Sequence, residues 1–337
     1  SLSISGLPSG VTVSGLPAGN VSVGGSGYSG TFSLNVPDDL PAGTYSFSFL
    51  ADGPGSGSGS DNAEGTGELV ISKASTTTVV TINGGPFTHT GSAITPATVT
   101  ITGAGGLSLT PVASYADNIN AGTATASYSY AGNDNYLPSS DSKNFTINKA
   151  PTVTTVTING GPFTYIGSAI EPATVTVTGA GGLSLSPSAN YSNNVNAGTA
   201  TASYSYSESP NHLGSSDSKT FEIGKANATI DVQGKTVTYD GTAHGATGTA
   251  KGVMGDDLAG LDLGASFTNV PGGTANWTFT DVAGNYNNAS GSVAIKINKA
   301  PTVTTVTING GPFTYTGSAI TPATVSVTGA GGLNLTT

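Results

Sequence analysis

The chain contains no cysteine, no arginine, one methionine and one tryptophan, and only 8% of its 337 residues carry charge. Without cysteine there is neither a disulfide framework nor a thiolate metal site, and redox chemistry says nothing of compartment. Without arginine, and with a net charge of −10, the chain lacks the basic patch that phosphate backbones or anionic lipid surfaces call for, so nucleic acid is not expected as a partner. No run of about 18 apolar residues occurs, so direct membrane insertion of this segment is not expected. Residues 1–30 also lack the charged start and apolar centre of a signal peptide. Low charge together with 50 glycines and 18 prolines excludes coiled coils and long helices.

What is abundant is repetition. Lys-Ala recurs at Lys73, Lys149, Lys225 and Lys299, at spacings of 76, 76 and 74 residues. These are too long for a solenoid coil and suit a small independent β-domain. The segment Thr81-Ile82-Asn83-Gly84-Gly85-Pro86-Phe87 returns as residues 157–163, and Asn120-Ala121-Gly122-Thr123-Ala124-Thr125-Ala126 returns as residues 196–202. The third repeat has diverged but keeps Tyr239-Asp240-Gly241-Thr242-Ala243 where the second has Tyr165-Ile166-Gly167-Ser168-Ala169 and the fourth Tyr315-Thr316-Gly317-Ser318-Ala319. The expected division is residues 1–72, 73–148, 149–224, 225–298 and 299–337. Because Ser1 is not an initiator methionine and Thr337 falls inside a repeat, the chain reads as a piece of something longer.

Inside each repeat the apolar period is two, the mark of strands with one buried face. Val99 and Ile101 alternate with Thr98, Thr100 and Thr102, while Ala124, Ala126, Tyr128 and Tyr130 alternate with Thr and Ser. In the third repeat Ala275, Trp277 and Phe279 take the latter's inward places. Six strand-like segments per repeat, separated by Gly-Gly, Gly-Pro and Asn-Ala-Gly turns, predict an all-β fold: a tandem array of small immunoglobulin-like β-sandwiches. The predicted core includes Val99, Ile101, Tyr128 and Phe145 in the first repeat and Val175, Val177, Tyr204 and Phe221 in the second. Residues 1–72 lack the repeat text but carry Pro41-Ala42-Gly43-Thr44-Tyr45 before one strand and end on Glu68-Leu69-Val70-Ile71. Between them, Gly53 to Gly67 reads as a mobile surface loop.

On the Tyr-x-Gly-[Ser/Thr]-Ala anchor, the Asn-Ala-Gly-Thr-Ala strand and the closing Phe-x-Ile-x-Lys-Ala, residues 73–337 resemble the MBG type of bacterial immunoglobulin-like module. The third repeat, with Tyr239-Asp240-Gly241, resembles the YDG variant, and residues 1–72 more loosely resemble another bacterial immunoglobulin-like domain. The resemblance implies tandem stalks in large exported adhesins. It implies an extracellular or cell-surface location, associated with the outer membrane, and it supplies neither catalytic residues nor a ligand.

Candidate chemistry is sparse. His89, His212 and His244 are the only histidines; His89 stands where the next repeat has Tyr165, and His212 where the previous one has Tyr136, which points to packing or turn roles rather than metal ligation. Acidic groups that could attract calcium are Asp38 with Asp39, Asp61 with Glu64, and Asp256 and Asp257 with Asp262. None follows an Asp-x-Asp-x-Asp-Gly loop, and solvated turns explain them as well. The lysines cluster at repeat ends, away from the buried acidic neighbour that an intramolecular Lys–Asn crosslink needs. No catalytic residue, cofactor or metal is therefore assigned.

Two function classes remain in view. The first is a non-catalytic stalk whose repeats set length, joined by short extended linkers because Pro151 and Pro301 follow Ala150 and Ala300. The second is an accessory region of a secreted polysaccharide-active enzyme, or modules that themselves bind glycan or another protein copy. Expected partners are neighbouring modules of the same chain, with surface polymers, glycans or other cell-surface proteins beyond them.

Overall fold

A computed structural model describes residues 1–18, 29–53 and 62–336. Every regular element among them is a strand or a three-residue 3-10 turn. The leading segment carries β1 (Leu2–Ser5), β2 (Thr12–Ser14), β3 (Ser33–Asn35), β4 (Gly43–Ala51) and β5 (Ala63–Ile71). The first repeat carries β6 (Thr76–Ile82), β7 (Phe87–Thr88), β8 (Ala97–Gly103), β9 (Leu107–Leu109), β10 (Ser114–Ala116), β11 (Gly122–Tyr130) and β12 (Ser139–Asn148). The second follows with β13 (Thr152–Ile158), β14 (Phe163–Thr164), β15 (Ala173–Gly179), β16 (Leu183–Leu185), β17 (Asn190–Ser192), β18 (Gly198–Tyr206) and β19 (Ser215–Gly224). The third holds β20 (Thr229–Gln233), β21 (Lys235–Thr238), β22 (Thr247–Lys251), β23 (Leu261–Asp262), β24 (Gly272–Phe279) and β25 (Ala289–Asn298), and the fourth β26 (Thr302–Ile308), β27 (Ala323–Gly329) and β28 (Leu333–Thr336).

In the first repeat a sheet ordered β6-β8-β9 faces one ordered β10-β11-β12-β7. Their shared core joins Val80, Val99 and Ile101 of the first sheet to Ala124, Ala126, Phe145 and Ile147 of the second. The alanines of β11 leave room for the Phe145 ring, which meets Phe87 edge-on at 5.5 Å. The alternating positions Val99, Ile101 and Phe145, with Val175, Val177 and Phe221, are buried as expected. Tyr128 and Tyr204 are only half-buried. One pairing escapes the period-two pattern: β7 and β14 are two residues long and run parallel to β12 and β19, too short to leave a signal.

A carboxylate ties the two sheets together. Val80 N–H, on β6, donates to Asp141 Oδ2 on β12 at 2.9 Å, and Val156 N–H donates to Asp217 Oδ2 at 2.8 Å. These backbone donors hold both carboxyls below the ordinary value of 3.8. Beside them Thr78 and Ser139 hydroxyls meet at 2.7 Å, as do those of Thr154 and Ser215.

In the leading segment the expected loop from Gly53 to Gly67 is corrected in part. Residues 54–61 lie outside the described residues, but Ala63 to Gly67 belong to β5 and pair with β4, Gly67 lying opposite Phe47. The Phe47 ring lies over Gly67, where a Cβ would collide with it. Glycine serves here as the space under an aromatic ring, which composition alone reads as loop.

Contacts group the chain into two compact units. One comprises Ser1–Thr152 with Gly179–Leu183 and Ser207–Gly214; the other comprises Val153–Thr178, Ser184–Tyr206 and Ser215–Thr337. The division crosses the second repeat, whose residues 179–183 and 207–214 group with the first.

In the fourth repeat β26, β27 and β28 form one sheet, and among the described residues no second sheet covers it. Val306 is 59% exposed where its counterpart Val156 is 1% exposed. Truncating Val156 to Ala is expected to cost about 2–3 kcal/mol through lost transfer energy and a cavity, whereas Val306→Ala stays within about 0.5 kcal/mol. Amide exchange of β15 and β27 in the two variants measures the difference.

Candidate functional site at the joints between repeats

The densest polar and aromatic chemistry lies where one repeat meets the next, and it begins with the linker alanines. Ala150 N–H donates to Asn211 O at 2.9 Å and Leu213 N–H to Ala150 O at 2.8 Å. Ala74 and Ala226 make the same bridges, to residues flanking Tyr136 and Tyr286. The alanine of the short extended joint thus forms an isolated β-bridge to the repeat it enters, and Ala150 and Ala226 are buried.

Each bridge presents an asparagine to the turn of the preceding segment. Ala42 N–H donates to Asn135 Oδ1 at 2.8 Å, Ala121 N–H to Asn211 Oδ1 at 2.9 Å, and Ala197 N–H to Asn285 Oδ1 at 2.9 Å. Two of these asparagines also donate through Nδ2 to the asparagine that opens the turn, Asn211 to Asn120 at 2.9 Å and Asn285 to Asn196 at 3.2 Å. Donor and acceptor of one side-chain amide are thus both used. The loop bearing the clasp is pinned in turn: Asn133 Oδ1 accepts from Asn135 and Tyr136 N–H, Ser209 Oγ from His212 N–H, and Asp281 Oδ2 from Tyr286 N–H.

Beside the clasp lies an aromatic pair. His89 and His212, set apart in sequence as replacements for tyrosine, meet edge-on with centroids 5.4 Å apart and are 5% and 9% exposed. In the next joint Tyr165 and Tyr286 meet in the same way at 5.4 Å. Burial of Tyr165, with Tyr286 and Asp256 nearby, pushes its phenol above the ordinary value of 10.0. The exchange of His for Tyr has a local reason. His212 Nε2–H donates to Ala180 O at 2.9 Å, and Tyr136 O–H donates to Ala104 O, the same position one repeat earlier, at 2.6 Å. At the other ring, His89 Nδ1–H donates to Ile119 O at 2.9 Å. Backbone closeness completes the joint: a Cβ at Gly91 would collide with Gly181, and one at Gly241 with Gly331.

The remaining candidates are dispersed. His244 Nε2 bonds Asp240 Oδ1 at 2.9 Å within one turn, where Asp240 also accepts from the N–H and hydroxyl of Thr242. Led by the Thr242 N–H, these donors bring the Asp240 carboxyl down to about 2. Asp257 pairs with Lys251 at 2.7 Å, and Asp262 Oδ1 accepts from Gly264 N–H, so the trio with Asp256 is not one site. Asp38 and Asp39 line an open cleft with Tyr136 and Asn135. Glu64 lies on β5 opposite Leu50, while Asp61 is outside the described residues. No group of three His, Asp or Glu side chains gathers among the described residues.

Asn135, Asn211 and Asn285 were not singled out by sequence reasoning. The signal was present: an asparagine precedes the Tyr/His position in all three repeats. No family model matches the chain, and a search of curated proteins returns no match.

Two outcomes are expected here. His212→Tyr keeps a donor to Ala180 O, whereas His212→Phe loses that bond, so the Phe variant is expected to be less stable than the Tyr variant by about 1 kcal/mol; urea midpoints compare them. Since the folded pKa of Asp240 lies below its unfolded one, its support of the turn is present above about pH 4 and lost as pH falls toward 2. A carboxyl-carbon NMR titration should give about 2 for the native chain and a higher value in Thr242→Ala.

Proposed function

We propose that the chain is a non-catalytic stalk or spacer segment of a large bacterial cell-surface or secreted adhesin-like protein, its repeats immunoglobulin-like modules of the MBG and YDG kind. The observation that carries this reading is the recurring clasp, in which Asn135, Asn211 and Asn285 each take the N–H of a turn in the preceding segment. A tether between independent binding modules has no need of it. A spacer does, because each clasp, with the bridged alanine and the ring pair, removes freedom from the joint.

The chemistry of the joints supports the same reading. Their polar atoms are spent on each other: the amides bond across the joint and the ring N–H groups go to backbone carbonyls. The faces flanking them present Thr and Ser on the outward phases of β8 and β11, which is ordinary usage for solvated strands. Location at the cell surface follows as part of this proposal.

The test is an insertion. Six Gly/Ser residues placed between Lys149 and Ala150 leave the Ala150 bridge within its own repeat but should loosen the clasp of Asn211 on Ala121 and broaden the intramolecular pair-distance distribution measured by small-angle scattering. If the distribution is no broader than that of the unaltered chain, the joints were already loose and the spacer reading loses its mechanism.

A further inference from the structure

The fourth repeat and the end of the third together present a surface whose occupant can be deduced from the repeats before it. Residues 300–336 copy residues 150–186 except at Ile166/Thr316, Glu171/Thr321, Thr176/Ser326, Ser184/Asn334 and Ser186/Thr336. None of these differences falls on Val156, Val175 or Val177, whose side chains are buried in the second repeat. There the covering layer is β18 and β19: Ala200, Ala202, Phe221 and Ile223 are buried with the valines, and Asp217 takes the N–H of Val156. The counterpart Val306 is 59% exposed, and Ile308 57%. An apolar face of this kind needs a cover, and the same residues carry that cover earlier in the chain.

A second feature, independent of the sheet, points to the same occupant. A cleft of about 580 Å³ is lined by Tyr239, Asn269, Val270, Ala300, Gly331 and neighbours. Tyr239 is the counterpart of Tyr165 and His89. Asn269 and Val270 stand where Asn196 and Ala197 receive Asn285, since Gly273 lies opposite Ile295 as Ala200 lies opposite Phe221. Tyr239 is already seated on Gly331, where a Cβ would collide with its ring. One half of a joint is therefore assembled: the ring, the turn and its asparagine. The elements that fill this place at the other joints are an Asn-Tyr or Asn-His pair.

We infer that this surface is a docking site for the second half of a repeat of this chain's own kind. That half is a strand layer with the pattern of residues 111–149, which spreads over β26–β28 and inserts its Asn-Tyr pair beside Tyr239 and Asn269. The tyrosine form is the matching one, because Tyr165 pairs with Tyr286 and His89 with His212. Recognition is by shape and backbone. Small alanines and the Phe-x-Ile strand meet the valine face, a carboxylate in the place of Asp141 takes the Val306 N–H, and the asparagine takes the turn at Val270.

Titration of the whole chain with a peptide of residues 111–149 tests this directly. The expected result is saturable 1:1 binding by calorimetry, with amide NMR shifts in β26, β27 and the Tyr239 and Val270 region. Val306→Asp in the chain, and Asn135→Ala in the peptide, should each weaken binding by at least about tenfold, the scale of about 1.4 kcal/mol. Absence of binding by a soluble peptide, or binding indifferent to Val306→Asp, overturns the inference. So does a concentration-dependent dimer of the chain alone that protects β26, because the occupant would then be a second copy face to face. Should the peptide aggregate, appending residues 111–149 after Thr337 provides the covalent version. Amide protection in β26 must then rise toward that of β13, and no rise refutes the docking.

Discussion

The joints depend on one side-chain amide used at both ends. An asparagine in the loop after the long strand of a repeat accepts the N–H of an alanine in the preceding turn, and at two joints it donates to that turn's own asparagine. Turn donors left without a partner at a packed interface would carry a desolvation cost. The clasp meets that demand and places the next residue, His212 or Tyr286, against the ring of the preceding repeat. The bridged alanine and, at two joints, the paired rings lie beside that amide.

The repeats themselves are thin. A core built mainly from Val, Ala and Ile with a single buried Phe, as in the first repeat, belongs to a small domain, and small domains bury a smaller share of their surface and are correspondingly marginal. Two devices compensate. The Asp141 and Asp217 carboxylates bond a backbone N–H of the facing sheet, holding together two layers whose apolar contact is limited. The joints also add contact area at the ends, so that Tyr165 of the second repeat packs against the third repeat's cluster of Ala226, Ala250, Phe279 and Tyr286. In such arrays stability is shared between a unit and its neighbours.

Divergence of the third repeat shows which parts tolerate change. The 3-10 turn that accepts from Tyr136 or His212 is replaced there by the loop from Lys251, and the hydroxyl of Tyr286 accepts the N–H of Val253 instead. Tyrosine can donate or accept, so the joint survives a rebuilt loop. The anchor turn changes similarly: Thr90 Oγ1 accepts a long bond from Ser92 N–H, whereas Asp240 makes shorter ones to Thr242. The turn persists while its side chain changes.

Sequence alone determined the repeat and its class. The 76-residue recurrence and the period-two alternation identified β-strands and the inward positions Val99, Ile101 and Phe145, because a strand must alternate its side chains whatever packs on it. It also flagged His89 and His212 as tyrosine replacements, though not that they meet. Only the tertiary structure decided that, since positions 123 residues apart become neighbours through the joint. It likewise decided that Ala63 to Gly67 pair as a strand, that two-residue strands close the second sheet in parallel in the first two repeats, and that Asn135, Asn211 and Asn285 are the clasps. Local pattern records which face of a strand is buried. Partners that bond across repeats leave no local period, and an asparagine in a loop carries the same propensity whether it faces water or a neighbouring turn.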